Sequence, residues 1–327
     1  MLAVLSVSAC SKPSSSLSWR EVSLPGAVML RDVADCGDRW WAAGGAGGGP
    51  AAWTSVDGVT WSSVPFSPLP ASYYGPREVI NSVACAGERV AMIGAVPGGA
   101  HGNPRVSTWR FAGGRLVENA APFETYGGDQ AVDVGPMAAG PSGFAIAGNR
   151  SSGGAAWIAP PSAREFRLIE NAPGLAGKTV ARDVVALPDG RWLVVGGSGG
   201  VLDQRSAAWV SSDGKDWSRD DPPVSGGFNE IQRVVPDGDD LLAAGMRGTA
   251  FGLWRWHAGA WTAGPTFGGD ASGVRSLALA GGKPVLVGGG LFIDGRSVPA
   301  PAPPVAVAGR GATLLLASPD RLWIATV

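Results

Sequence analysis

"AAWTSVDGVTWSS", residues 51–63, returns as "AAWVSSDGKDWSR" at residues 207–219. Each copy sets two tryptophans, Trp53 and Trp61 or Trp209 and Trp217, on either side of a Ser-x-Asp-Gly. Asp-Gly is turn chemistry. The Asp side chain accepts from backbone amides just beyond it, and the glycine takes the positive φ that other residues avoid. The flanking segments are too short for helices and carry large apolar residues, so each copy predicts two short strands joined by a tight turn.

Outward from these copies, apolar runs ending in glycine recur: "WWAAGG" reaching Gly44, "VAMIG" Gly94, "FAIAG" Gly148, "WLVVGG" Gly196, "LLAAG" Gly245 and "VLVGG" Gly288. A seventh, "TLLLAS", has Ala317 in that place. Successive spacings are 50, 54, 48, 49, 43 and 29 residues. An apolar strand precedes most runs across a short turn, as in "ARDVVALPDGR" and "IQRVVPDGDD". A tryptophan-bearing strand follows, with Trp53, Trp109, Trp157, Trp209 and Trp254 in register. A fourth strand opens on Trp61, Phe166, Trp217 or Trp261, with Leu116 in the second copy. Each copy is thus four strands, a to d from the centre outward, with no helical period between them.

A four-stranded antiparallel sheet repeated about every 40–50 residues predicts a β-propeller. One such sheet buries too little apolar area alone; blades packed face to face around an axis bury both sides. Seven copies are present, and the last stops at Val327 without a fourth strand. "SWREVSLP", residues 18–25, matches the fourth-strand pattern "WSSVPF". The expectation is an all-β, seven-bladed propeller whose last blade is closed by the N-terminal strand, hiding an otherwise reactive sheet edge.

The 26 Lys and Arg against 27 Asp and Glu leave a net charge of −1, without a basic stripe for a nucleic-acid partner. The start, "MLAVLSVSACSKPSSS", ends an apolar run in Val7-Ser8-Ala9-Cys10. This resembles the lipobox of bacterial lipoproteins, which implies a signal peptide over residues 1–9, shortened at its start, and lipidation of Cys10. Residues 10–16 then form the lipidated tether and residues 17–327 one propeller domain. The implied location is the extracytoplasmic face of the bacterial membrane, held by the lipid anchor alone.

The Ser-x-Asp-Gly turns resemble the Asp-box repeats of sialidase-like propellers, one residue short before the glycine, and the Gly-Gly doublets at 44–45, 196–197 and 288–289 resemble kelch repeats. In both families such motifs are structural fastenings. A sialidase would also imply an arginine triad on inner strands. Arg31, Arg182, Arg233 and Arg275 do recur near inner-strand starts, either as a carboxylate-holding mouth or as solubilising lining paired with Asp32 and Asp183.

The d–a and b–c connections share one face and include the longest loops, 65–78, 96–105 and 197–205. They carry Tyr73, Tyr74, Tyr126, Arg77 and His101, with the carboxylates Glu78, Glu124 and Asp129. Long loops with aromatics on a rigid scaffold are what recognition surfaces use. The expected ligand-binding set is therefore Arg31, Tyr73, Tyr74, Arg77, His101, Tyr126, Arg182 and Arg275, suited to a protein, peptide or glycan. A sialidase-like hydrolase and a purely structural envelope protein remain as alternatives. No catalytic set can be named, and His101 and His257 lack metal-ligand spacing, so neither a metal nor a cofactor is expected. Cys36 and Cys85 end adjacent inner strands, and either a disulfide or two buried thiols would fit there.

Overall fold

The computed structural model describes residues 17–98, 104–200, 203–224 and 226–327. The described residues form seven sheets. Their inner strands are Met29–Asp35, Val79–Ala86, Ala131–Gly140, Thr179–Ala186, Asn229–Asp237, Ser276–Ala280 and Ala306–Arg310. Each inner strand packs on the next, and the seventh packs on the first, so the ring closes. The seventh blade takes its outer strand from the N-terminal side: Arg20–Val22 pairs antiparallel with Leu322–Thr326, Arg20 opposite Ile324 and Val22 opposite Leu322. The fold is the expected seven-bladed propeller with one addition. Beyond the outer strand of blade 1 the chain runs on, and Phe66–Ser67 pairs parallel with Leu116–Val117, giving blade 2 a fifth strand on its exposed edge.

Three of the glycines that end b strands, Gly44, Gly196 and Gly245, have a common cause. Inner strands of blades 1, 4 and 5 carry a bulge, which pushes a carbonyl toward the neighbouring strand. A Cβ on Gly44 would lie 1.8 Å from Met29 O, one on Gly196 1.8 Å from Val180 O, and one on Gly245 1.9 Å from Glu230 O. Any side chain there would collide with backbone.

On several inner strands a side chain reaches into the next blade. Asp32 accepts from Val33 N at 2.9 Å and from Val83 N at 2.8 Å. Asp183 accepts from Val184 N at 2.9 Å and Val234 N at 3.0 Å. Ser82 accepts from Met137 N, and Ser276 from Val307 N. Arg310 closes the last junction onto Asp35 through Nε at 2.8 Å. Cys36 and Cys85 are bonded to each other across blades 1 and 2, with Cα atoms 5.6 Å apart.

The Ser-x-Asp-Gly segments are c–d turns. Asp57 accepts from Val59 N, Thr60 N and the Ser55 hydroxyl, and Ser55 Oγ accepts from Gly58 N. Asp213 repeats this with Lys215 N, Asp216 N and Ser211. The amides of Thr60 and Val59 hold the Asp57 carboxyl well below the usual carboxylate range.

Candidate functional site

The strand-c tryptophans do more than fill the wedges between blades. Each is buried, and its indole N–H fastens the connection that enters its blade. Trp53 donates to Pro25 O at 3.1 Å, Trp157 to Thr125 O at 2.5 Å, Trp209 to Gly174 O at 2.6 Å and Trp254 to Pro223 O at 3.4 Å. Blade 2 breaks the pattern. Trp109 donates instead to a side chain, Glu78 Oε2, at 3.1 Å. The same carboxyl occupies the room beside the strand-b glycine, since a Cβ on Gly94 would lie 2.7 Å from Glu78 Oε2. A rule kept by four blades and broken in one marks the place where function is to be sought.

Glu78 is fully buried, and its Oε1 has no hydrogen-bond partner. Burial pushes its carboxyl up to about 7, against the donors Trp109 and Ser107, and the neighbouring charge of Glu118 adds to the rise. Glu118 is buried too, but well supplied. It accepts from Leu69 N at 2.9 Å, Ser72 Oγ at 2.7 Å and Ser107 Oγ at 3.1 Å. It therefore ties the connection over residues 64–78 to the outer strand of blade 2.

Glu118 lines a pocket of about 320 Å³. Its walls come from the two connections flanking blade 2, with Leu69–Tyr74 on one side and Ala121–Gly127 on the other, and from Pro104–Ser107 at the start of strand c. Tyr73, Tyr74 and Phe123 rim it and are 64, 39 and 52% exposed. Few large apolar side chains are exposed elsewhere among the described residues, and these three are the aromatic ones. The Tyr73 and Tyr74 rings meet edge to face at 5.1 Å. Arg77 stacks on Tyr73 at 4.2 Å and donates to Tyr73 O. Arg105 lies 4.6 Å from the Phe123 ring centre and 5.8 Å from that of Tyr74. Its Nε is buried without an acceptor, the one guanidinium nitrogen among the described residues in that state. A buried donor left unpaired costs about 1–3 kcal/mol.

The expected site residues do not share one place. Tyr73, Tyr74 and Tyr126 line this pocket, and Arg77 braces its rim. Tyr126 presents no free plane. It is buried, its hydroxyl is 3.1 Å from Thr108 Oγ1, and burial pushes its phenol above the usual range. Arg31 and Arg275 line a separate cavity of about 630 Å³ at the centre of the ring, together with Asp32, Asp183 and Arg233. Arg182 is paired with buried Glu230 at 3.1 Å, and Arg233 with the carbonyls of Arg275 and Gln232. Burial pushes Asp32 up to about 7 and Asp183 up to about 6, opposed in both by Arg233 and by the amides each one clasps. Those carboxyls serve as inter-blade clasps. His101 and Cys10 lie outside the described residues. Sequence reasoning passed over Arg105, Phe123, Glu118 and Ser107. The available signal was the pair of long connections flanking one blade.

No protein-family model matches the sequence, and no curated protein matches it. Solved structures do match in shape. A YCF48 bound to a D1 peptide aligns with a TM-score of 0.60 at 13% identity, over 97% of each chain. YCF48 from Cyanidioschyzon merolae gives 0.59 at 13%, over 94% of this chain and 98% of that one. Virginiamycin B lyase from Staphylococcus aureus gives 0.64 at 15%, over 95% and 99%. What these share with the present chain is the class, a seven-bladed β-propeller.

Proposed function

We propose that the chain is an extracytoplasmic binding propeller, lipid-anchored through Cys10, that holds a peptide segment of a partner protein in the blade 2 pocket of its loop-rich face. The observation that carries this is the ring of exposed aromatics around a pocket at the one blade where the tryptophan fastening is replaced by a buried carboxyl. Amphipathic rings offer large contact area at small entropic cost, and a closed ring scaffold need not be ordered on binding. The Cys36–Cys85 bond fits an oxidising compartment. YCF48, of the same fold, is a protein that holds a peptide.

The test is selection of a random peptide library on the purified protein. Enriched peptides are expected to lose at least about tenfold in affinity, about 1.4 kcal/mol, for a Tyr73→Ala/Tyr74→Ala/Phe123→Ala variant of unchanged melting temperature. Peptides that tolerate this variant but lose affinity after substitution of the c–d turns at Asp57 and Asp213 would place binding on the opposite face. Preferential capture of sialylated glycans over every peptide would favour the carbohydrate alternative.

A further inference from the structure

Arg105 opens strand c of blade 2 and leans into the pocket. Most arginines of the ring that are held in place have a partner: Arg150 has Glu170, Arg182 has Glu230 and Arg310 has Asp35. Arg105 instead has the Phe123 and Tyr74 rings beside it, their centres 4.6 and 5.8 Å from its guanidinium carbon, and aromatic rings take none of its N–H donors in a carboxylate's manner. Stacking leaves the edge of a guanidinium, with its fork of N–H donors, free to meet a planar acceptor. No carboxylate or carbonyl of the described residues takes that edge, and Nε is withdrawn from solvent. Glu118 lines the same pocket, but its two oxygens are turned to Leu69 N, Ser72 and Ser107. The pocket therefore presents a guanidinium without a hydrogen-bonded acceptor among the described residues, beside aromatic walls.

We infer that Arg105 is a carboxylate receptor: the pocket takes an acidic group of the bound peptide, a side chain or a C-terminus, in a two-pronged hydrogen-bonded pair with the terminal Nη1 and Nη2 groups of Arg105, since Nε is out of a ligand's reach. This rests on the pocket being a peptide site, and it adds the chemistry that selects the peptide. A guanidinium flanked by aromatic rings loses little freedom on pairing, so discrimination between an acid and its amide should be large. A lysine offers a point charge without the fork and should recover only part of it.

The experiment has two arms. In the first, protein labelled with ¹⁵N in arginine is titrated with sodium acetate, and the Arg105 Nε–H resonance is assigned by its loss in Arg105→Lys. A saturable shift of that resonance, absent from the other arginines, is expected; no shift, or one shared by exposed arginines, overturns the receptor. In the second, blocked tetrapeptides carrying one Tyr and one Asp are compared with their Asn counterparts and with Asn peptides bearing a free C-terminus. Acidic peptides should bind roughly tenfold or more tightly than neutral ones, and Arg105→Gln should erase the difference. Which acidic form binds names the source of the carboxylate. Neutral and acidic peptides of equal affinity, both weakened by Tyr74→Ala, would overturn the receptor and leave the peptide site standing. An acetate response with no peptide bound, but with sialyllactose bound, would keep the receptor and overturn the peptide.

Discussion

Glu78→Gln should make the protein more stable at alkaline pH and change it little in acid. Glu78 is fully buried with one oxygen unpartnered and the charge of Glu118 nearby, and its carboxyl rises from 4.5 to about 7 on folding. At about 1.4 kcal/mol per pK unit, this is about 3 kcal/mol. The direction follows from proton binding. Below 4.5 the carboxyl is neutral in folded and unfolded chains alike and exerts no pH-dependent effect. Between 4.5 and about 7 the unfolded chain ionises first, so stability falls as pH rises, and above about 7 the whole loss is in place. Glutamine keeps an acceptor for Trp109 and cannot ionise, so the variant should gain about 2–3 kcal/mol over the parent near pH 8. Near pH 4 the gain should vanish or turn into a small loss, because the new amide N–H₂ needs acceptors that Glu78 did not. Urea unfolding of both proteins across this range measures the difference, in which the rises at Asp32 and Asp183 cancel. A difference that stays flat with pH would show that Glu78 titrates normally. A loss that grows toward alkaline pH would show a buried anion stabilised by its surroundings. Either outcome refutes the reasoning.

Replacing both Cys36 and Cys85 with Ser opens a loop of 49 residues; chain entropy predicts a loss of up to about 4 kcal/mol, read as a lower denaturation midpoint under non-reducing conditions, and a fall below about 1 kcal/mol would refute the chain-entropy account of this bond. Trp209→Ala removes a fully buried ring and its fastening of Gly174, so a loss of about 3–5 kcal/mol is expected, whereas Tyr74→Ala should leave the midpoint within about 0.5 kcal/mol. The proposed lipid on Cys10 predicts that Cys10→Ser leaves the detergent phase as soluble or uncleaved precursor; equal partitioning of both forms would overturn that proposal.

The ring was legible because its rules repeat. Gly44, Gly196 and Gly245 mark the same collision with an inner-strand carbonyl, so the sequence shows the collision three times before any coordinate is known. The closing strand at Arg20–Val22 was legible because it copies a pattern seen elsewhere in the chain. The pocket was legible only in part. Tyr73 and Tyr74 stood out as aromatics in a long loop, but Arg105 and Phe123 gain meaning only from each other, and they come from connections that nothing in the sequence aligns. Glu78 looked like one more carboxylate on the loop-rich face. Only the fold shows that it is buried in the position where four other blades place a backbone carbonyl, because a side chain replacing main chain leaves no periodic trace. Arg31 and Arg275 share the expected site with the tyrosines by their places in the repeat, yet the inner strand and the blade's outer edge open into different cavities, and Arg182 pairs with Glu230 instead of lining either.

The closing strand also decides where the ring is mechanically weakest. Every other blade is cut from one continuous stretch of chain, so pulling on its ends meets a hairpin before it meets a ladder. Blade 7 alone is spliced from both termini, and the splice is three residue pairs long, Arg20 to Ile324 through Val22 to Leu322. A load entering at the N-terminus reaches those pairs first, with no covalent turn behind them to share it. The protein would yield there as a latch does, at one short seam, with the other six blades still folded as the seam opens.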